Sequence, residues 1–168
     1  MNRIKKVKPV NENYYQGYYR PLNEEKYVGD CSEIIYRSSY ERKFMVFCDS
    51  NTNIIKWASE PIGIKYLNPL DKKTHTYYID FWIKVLNSRG IEEKVLIEIK
   101  PKKQLERPIF EGRYKVLSKI KSYNKSMEMY IINLAKFSAA KDFAEKNKMR
   151  FMILTEDFLF GKKRQDKE

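Results

Sequence analysis

The most constraining feature of this sequence is a pair of apolar segments joined by the polar turn Asn87-Ser88-Arg89-Gly90. Residues 74–86, before the turn, are rich in β-branched and aromatic side chains, which favours a strand. In residues 94–100, after the turn, apolar side chains alternate through Val95, Ile97 and Ile99, and a proline follows directly. If the two segments pair across the turn, they form two long neighbouring strands around which the rest of the chain must fold.

Helices are predicted on either side of these strands. The first helix opens at Ser38, because Ser38 and Glu41 have the spacing of a capping box, and it ends near residues 49–51. The second is capped by Ser126 and continues at helical spacing to about Asn147. Shorter strands are predicted at residues 54–58, 62–67 and 151–154. This order predicts an α/β domain with a central mixed sheet flanked by helices.

The length of 168 residues suits a single core. We expect an extended N-terminal arm over residues 1–35, a folded domain over residues 36–160 and a charged tail over residues 161–168. Of the net charge of +12, residues 1–10 contribute +4 and residues 100–125 contribute +7, the latter in a stretch predicted to be a loop. Charge concentrated in this way favours a polyanionic partner such as double-stranded DNA, although a basic but inert surface stays open.

Two cysteines, Cys31 and Cys48, and the single histidine His75 give no spacing suited to a structural zinc site. The basic start is followed by no apolar segment, so neither a signal peptide nor a membrane span is expected. We therefore expect a cytoplasmic protein whose thiols are free.

Two acids and a lysine stand inside the apolar strands: Asp80 in the first, and Glu98 and Lys100 in the second. Residues two apart on a strand share a face, so Glu98 and Lys100 point the same way, and Asp80 can lie beside them if the strands pair. Carboxylates that hold Mg²⁺, with an ammonium beside them, suit phosphodiester hydrolysis. The spacing E-x-K occurs four times in the chain, so a solvated sheet face is the alternative.

The triple Asp80, Glu98 and Lys100 resembles the signature of the PD-(D/E)XK nuclease superfamily, with Ile79 in place of its proline. More closely, the chain is similar to the head-completion nucleases of T-even-type tailed phages, which are themselves similar to the end-cleaving endonuclease of heteromeric transposases. Further matching segments lie at residues 17–23, 26–30, 36–41, 57–60, 75–80, 98–101, 133–137 and 154–156. The resemblance implies a restriction-endonuclease-like core and a metal-dependent DNA endonuclease acting in head completion after DNA packaging.

The resemblance also implies roles for individual residues. Asp80, Glu98 and the Ile99 carbonyl would hold Mg²⁺, for which Mn²⁺ would substitute, and Lys100 would orient or activate the attacking water. Glu41 would contribute to the metal site, whereas its spacing from Ser38 alone allows a simple capping role. The residues predicted to contact DNA are Lys102, Lys103, Arg107, Arg113 and Lys136.

Two other functions stay open at this stage. One is a structural head-completion or DNA-gateway protein that keeps the nuclease fold without needing cleavage. The other is an unrelated nucleic-acid-binding module, against which the acids inside the strands argue. Phage head or portal proteins are possible partners, and association with the virion is an alternative to a purely cytoplasmic location.

Overall fold

The computed structural model describes residues 16–110 and 117–161. The strands are β1 (Gly17–Tyr18), β2 (Ile35–Tyr36), β3 (Ile54–Ser59), β4 (Gly63–Leu67), β5 (Thr74–Tyr78), β6 (Phe81–Leu86), β7 (Glu92–Ile99) and β8 (Arg150–Leu154). The helices are α1 (Ser39–Ser50), α2 (Leu117–Lys146) and α3 (Glu156–Phe160). A central sheet has the order β3-β6-β7-β8, antiparallel except for the parallel pair β7-β8. The predicted α/β class with a mixed sheet flanked by helices is confirmed.

The hairpin across the polar turn is confirmed as β6 and β7, with Phe81 opposite Ile97. Asn87 organises the turn, since its side-chain carbonyl accepts hydrogen bonds from the backbone N–H groups of Arg89 and Ile91. Gly90 has φ 72°, a left-handed conformation that glycine adopts without steric cost. The turn therefore fixes the register that brings the end of β7 to the start of β6.

The prediction of one continuous strand over residues 74–86 is wrong. The chain leaves regular strand geometry at Ile79 and Asp80, and β5 pairs with β4 in a separate hairpin while β6 joins the central sheet. Glu60 N–H donates to the Asp80 carbonyl at 2.9 Å, and Ile79 N–H donates to the Ile62 carbonyl at 3.1 Å. Because these contacts satisfy the backbone at the break, Asp80 lies in a bend between two sheets rather than inside a strand.

The central strand β7 is buried on both faces from Val95 to Ile99. Val95, Ile97 and Ile99 pack against α1 and α3 in one core cluster. On the other face Leu96 packs against Ala140 of α2 in a second cluster that includes the β4-β5 hairpin. Glu98 projects on the same face as Leu96, because alternate residues of a strand share a face. The sheet thus aims Glu98 at the space beneath α2.

Helix α1 begins and ends where its sequence signals predict. The Ser38 side chain caps it by accepting from the Glu41 N–H at 3.1 Å, and Asn51 ends it. The start predicted for α2 at Ser126 is wrong, because the helix is already formed at Leu117 and runs through Ser126. The loop predicted over residues 101–125 is therefore partly helix, and α3 was not predicted.

The described part of the predicted arm, residues 16–35, packs on the domain. Tyr19 and Tyr27 contact the buried ring of Trp57. Lys26 donates from Nζ to backbone carbonyls at the end of α1, and the Asp49 carboxylate accepts from the backbone of Leu22. Residues 1–15 and 162–168 lie outside the described part of the chain. Within that part, no helix is both long and apolar enough to cross a membrane.

Candidate active site

The predicted triple converges at the edge of the central sheet where β7 ends and β6 begins. Lys100 Nζ lies 2.7 Å from Glu98 Oε1 and also donates to the Ile99 carbonyl at 3.3 Å. The Asp80 Oδ2 atom accepts from the Ile99 N–H at 2.7 Å, which ties the bend to the end of β7. The alternative of a solvated sheet face does not hold for Glu98, whose exposed fraction is 3%.

Burial and the charges of neighbouring groups shift the pKa values of Asp80 and Lys100. The pKa of Asp80 is raised to about 7, first by burial and then by the neighbouring Glu98 carboxylate. Burial by itself lowers the pKa of Lys100, but Asp80 and Glu98 together more than offset this and hold that pKa above its ordinary value. Lys100 is therefore an ammonium at neutral pH, suited to orienting a water rather than to taking a proton from it.

Two carboxylates and one backbone carbonyl form the candidate donor set for a divalent cation. Glu98 Oε2 is buried and has no hydrogen-bond partner. An unpaired carboxylate oxygen in such a place is costly unless a cation or water satisfies it. The Asp80 carboxylate is close enough to Glu98 for their charges to interact, and the Ile99 carbonyl accepts from the Lys100 ammonium of the same cluster. Hard oxygen ligands of this kind suit Mg²⁺. Among the described residues no group of three or more His, Cys, Asp and Glu side chains is close enough to hold a metal ion together.

Glu41 lies near the cluster, but both of its carboxylate oxygens accept hydrogen bonds from neighbouring residues of its own segment. Its Oε1 accepts from the Ser38 hydroxyl at 2.9 Å, and its Oε2 accepts from the Arg37 N–H at 2.7 Å. Burial raises the pKa of Glu41, and the charge of Asp80 raises it further. The capping role is thus present in the structure, while a contribution of Glu41 to metal binding stays a prediction.

Lys136 faces the cluster from α2. Its Nζ lies 5.5 Å from the ring centroid of Tyr77 and 5.7 Å from that of Tyr66, two residues of the β4-β5 hairpin. Burial lowers the pKa of Lys136, and the charge of Lys100 lowers it further. A second cation thus stands on the α2 side of the cluster, held against two rings by cation–π attraction.

Sequence reasoning missed three residues around the cluster. Arg37 and Glu60 form a salt bridge beside Asp80, and hydrogen bonding to Glu60 raises the pKa of Arg37. Glu60 has φ 47°, a strained conformation for a residue with a side chain, and its N–H holds the Asp80 carbonyl. Tyr77 has a buried hydroxyl with no hydrogen-bond partner. All three lie in segments that carry the family resemblance, at residues 36–41, 57–60 and 75–80, which was the available signal.

The residues predicted to contact DNA have different surroundings. Lys102 lies 3.7 Å from Asp157 of α3, and its backbone N–H donates to Glu156. Lys103 and Arg107 are exposed along the segment that follows the active-site strand. Arg113 lies outside the described residues. His75 pairs with Asp71 on the β4-β5 hairpin at 2.7 Å.

A mixed sheet that brings two acids and a lysine together where β7 ends is the arrangement expected of a nuclease, and comparison with known families agrees. The sequence model of the family described as TnsA-like endonuclease N terminal matches residues 51–156, most of the chain, so this protein belongs to that family. The chain is also 37% identical over 145 residues to the head completion nuclease of Enterobacteria phage T4, covering 86% of this chain and 93% of that relative. No solved structure matches the chain.

Proposed function

We propose that this protein is a Mg²⁺-dependent endonuclease that hydrolyses phosphodiester bonds of double-stranded DNA during phage head completion. The observation that carries the proposal is the buried, unpartnered Oε2 of Glu98 beside Asp80, with Lys100 paired to the other oxygen of Glu98. Such a cluster does not stabilise a purely structural sheet, because two buried carboxylates share one lysine and one carboxylate oxygen has no hydrogen-bond partner. The name of the phage T4 relative supports the setting in head completion.

Each residue of the candidate site has its own role in the proposed reaction. Asp80, Glu98 and the Ile99 carbonyl would hold the ion, which when bound lowers the pKa of a water and neutralises charge on the attacked phosphate. Lys100 keeps Glu98 oriented, and its one remaining N–H would orient the attacking water. Lys136 faces the same space from α2 and would contact a phosphate oxygen. Bending the chain at Asp80 brings its carboxylate to the end of β7 rather than into the sheet.

Incubation of the purified protein with linear and nicked plasmid tests the proposal. We expect cleavage with Mg²⁺ or Mn²⁺ and none with EDTA. Calorimetry with Mg²⁺ in the absence of DNA should show binding to the folded protein. A folded protein that binds DNA but cleaves no substrate with either metal would contradict the proposal and favour a structural role at the DNA gateway.

Lys136→Met should lower the rate of cleavage on the order of a hundredfold, because one preorganised charge aimed at the phosphate is lost. The methionine keeps the apolar stem against Tyr66 and Tyr77, so the melting temperature should change little. Lys141→Met, at an exposed position of the same helix, is the matched control. Equal cleavage rates in the two variants would remove Lys136 from the site.

Neutralising Lys102, Lys103 and Arg107 together should weaken binding to all DNA sequences alike. If all three contact phosphates, the slope of log affinity against log salt falls by about three. Turnover at saturating DNA should change much less, because the acids are untouched. A triple neutralisation of Lys65, Lys72 and Lys73, exposed on the β4-β5 hairpin, removes the same charge and should leave the slope unchanged. Equal salt slopes in the two triple variants would show that the phosphates of DNA do not bind Lys102, Lys103 and Arg107.

A further inference from the structure

A groove runs along the first half of α2, where this helix faces the segment that follows β7. It has a volume of about 790 Å³, and Pro101, the residue directly after Lys100, lines one end of it. The helix contributes residues at positions 119, 122, 123, 126, 129 and 130, which share one face at helical spacing. The groove therefore begins beside the catalytic cluster and extends away from it.

The groove combines positive charge with aromatic rings. Lys103, Arg107 and Lys119 line it, and Glu106 is the one acid among its described lining residues. Phe110 is 43% exposed, and its ring packs edge-on against Tyr123 at a centroid distance of 5.2 Å. Cations beside accessible aromatic rings are the means by which proteins bind an unpaired nucleic-acid strand, with rings stacking on bases and cations on phosphates.

We infer that this groove binds an unpaired DNA strand next to the active site, so the preferred substrate is a duplex with a single-stranded extension. The bases of an intact duplex are stacked on one another and cannot lie on Phe110 or Tyr130. The charge of the lining suits phosphates. Tyr130 and Lys136 are six residues apart on α2, so this end of the groove lies about 9 Å along the helix from Lys136, which faces the catalytic cluster. That distance corresponds to about three nucleotides at the spacing of one strand in a duplex.

The inference narrows the substrate of the proposed function. It rests on that function, because the bound strand must lead into the proposed active site. Binding is tested separately from cleavage, with a labelled oligonucleotide of twelve thymidines (dT12) in EDTA and fluorescence anisotropy as the readout. The double variant Phe110→Ala/Tyr123→Ala removes two rings and no charge. It should bind dT12 about tenfold or more weakly than the wild type, whereas its affinity for a 12-base-pair duplex should change less than about twofold.

Tyr78→Ala is the matched control, because Tyr78 is 61% exposed and points to the face of its hairpin opposite Tyr77. This variant should bind dT12 like the wild type. Far-UV circular dichroism of all variants checks that α2 is retained. Unchanged dT12 affinity in the double variant would overturn the inference, and the groove would then be better suited to a protein partner.

Cleavage with Mg²⁺ completes the test. The wild type should cleave a duplex with a single-stranded flap with a higher kcat/KM than a blunt duplex, and the double variant should lose this preference while still cleaving the blunt duplex. Equal kcat/KM for both substrates in the wild type would overturn the inference even if cleavage occurs. Loss of dT12 binding in the double variant, with no cleavage of any substrate by the wild type, would support the groove and contradict the proposed nuclease activity.

Discussion

Lys100→Ala should lower the rate of DNA cleavage about a hundredfold to ten-thousandfold. Lys100 is the cation that pairs with Glu98 at 2.7 Å, and Asp80 and Glu98 hold its pKa above the ordinary value. Its loss removes the group that positions the water and the partner of a buried carboxylate. Cleavage of a supercoiled plasmid in Mg²⁺, followed over a range of enzyme concentrations, measures the effect.

The same substitution leaves Glu98 without a counter-charge, so a lower melting temperature is expected alongside the lost activity. Lys100→Gln separates the two effects, because an amide can still donate to Glu98 but carries no charge. This second variant should melt closer to the wild type and remain inactive. Lys94→Ala, at an exposed position of the same strand β7, should keep its turnover at saturating DNA. Near-normal cleavage by a folded Lys100→Gln protein would contradict the assignment of the active site.

The parts of the fold that could be predicted are those specified by local sequence. Helix α1 carries its own cap at Ser38, and the β6-β7 hairpin carries its own turn at Asn87. Glu98 and Lys100 belong to one short segment, so their shared face follows from strand periodicity alone. Salt-bridge geometry confirms that pairing. These features could be predicted without knowing which residues pack against them.

The bend at Asp80 could not be predicted, because the sequence around it has a strand-like composition on both sides. Contacts from distant segments produce the bend. Glu60 and Ile62 form hydrogen bonds with the backbone of residues 79–80, and the Ile99 N–H donates to the Asp80 carboxylate. The salt bridge of Arg37 with Glu60 likewise joins residues 23 positions apart. Such tertiary contacts override local propensity, which is a weak preference in strands.

The early start of α2 could not be predicted for a different reason. Its first half packs little against the sheet, and residues 117–119 are all exposed. The hydrophobic periodicity from which a helix is predicted is therefore weak there. The weak periodicity suggested a loop, although the straight-chain lysines of this half favour a helix about as well as leucine does. The groove inferred to bind an unpaired strand exists because this half of α2 is helical.

Asp80→Asn should raise the stability of the metal-free protein while weakening Mg²⁺ binding and cleavage. The pKa of Asp80 is raised from 3.8 to about 7, mainly by burial. Between these two values the folded state keeps a proton that the unfolded state releases, so the wild type loses stability as pH rises through this window, and the loss is complete above it. Asparagine does not titrate and can still accept from Ile99 N–H, so it avoids this loss.

The stability gain of the asparagine variant should therefore be absent below about pH 4, should grow with rising pH and should reach a few kcal/mol above pH 7. Urea unfolding in EDTA at several pH values measures it, with Asp142→Asn, exposed on α2, as the control that should show no gain. Calorimetry should show weaker Mg²⁺ binding in Asp80→Asn, because an amide oxygen replaces an anionic ligand. A gain that is equal at pH 4 and pH 8 would show that the Asp80 carboxyl is not strained by burial. Unchanged Mg²⁺ affinity would show that Asp80 is not a metal ligand.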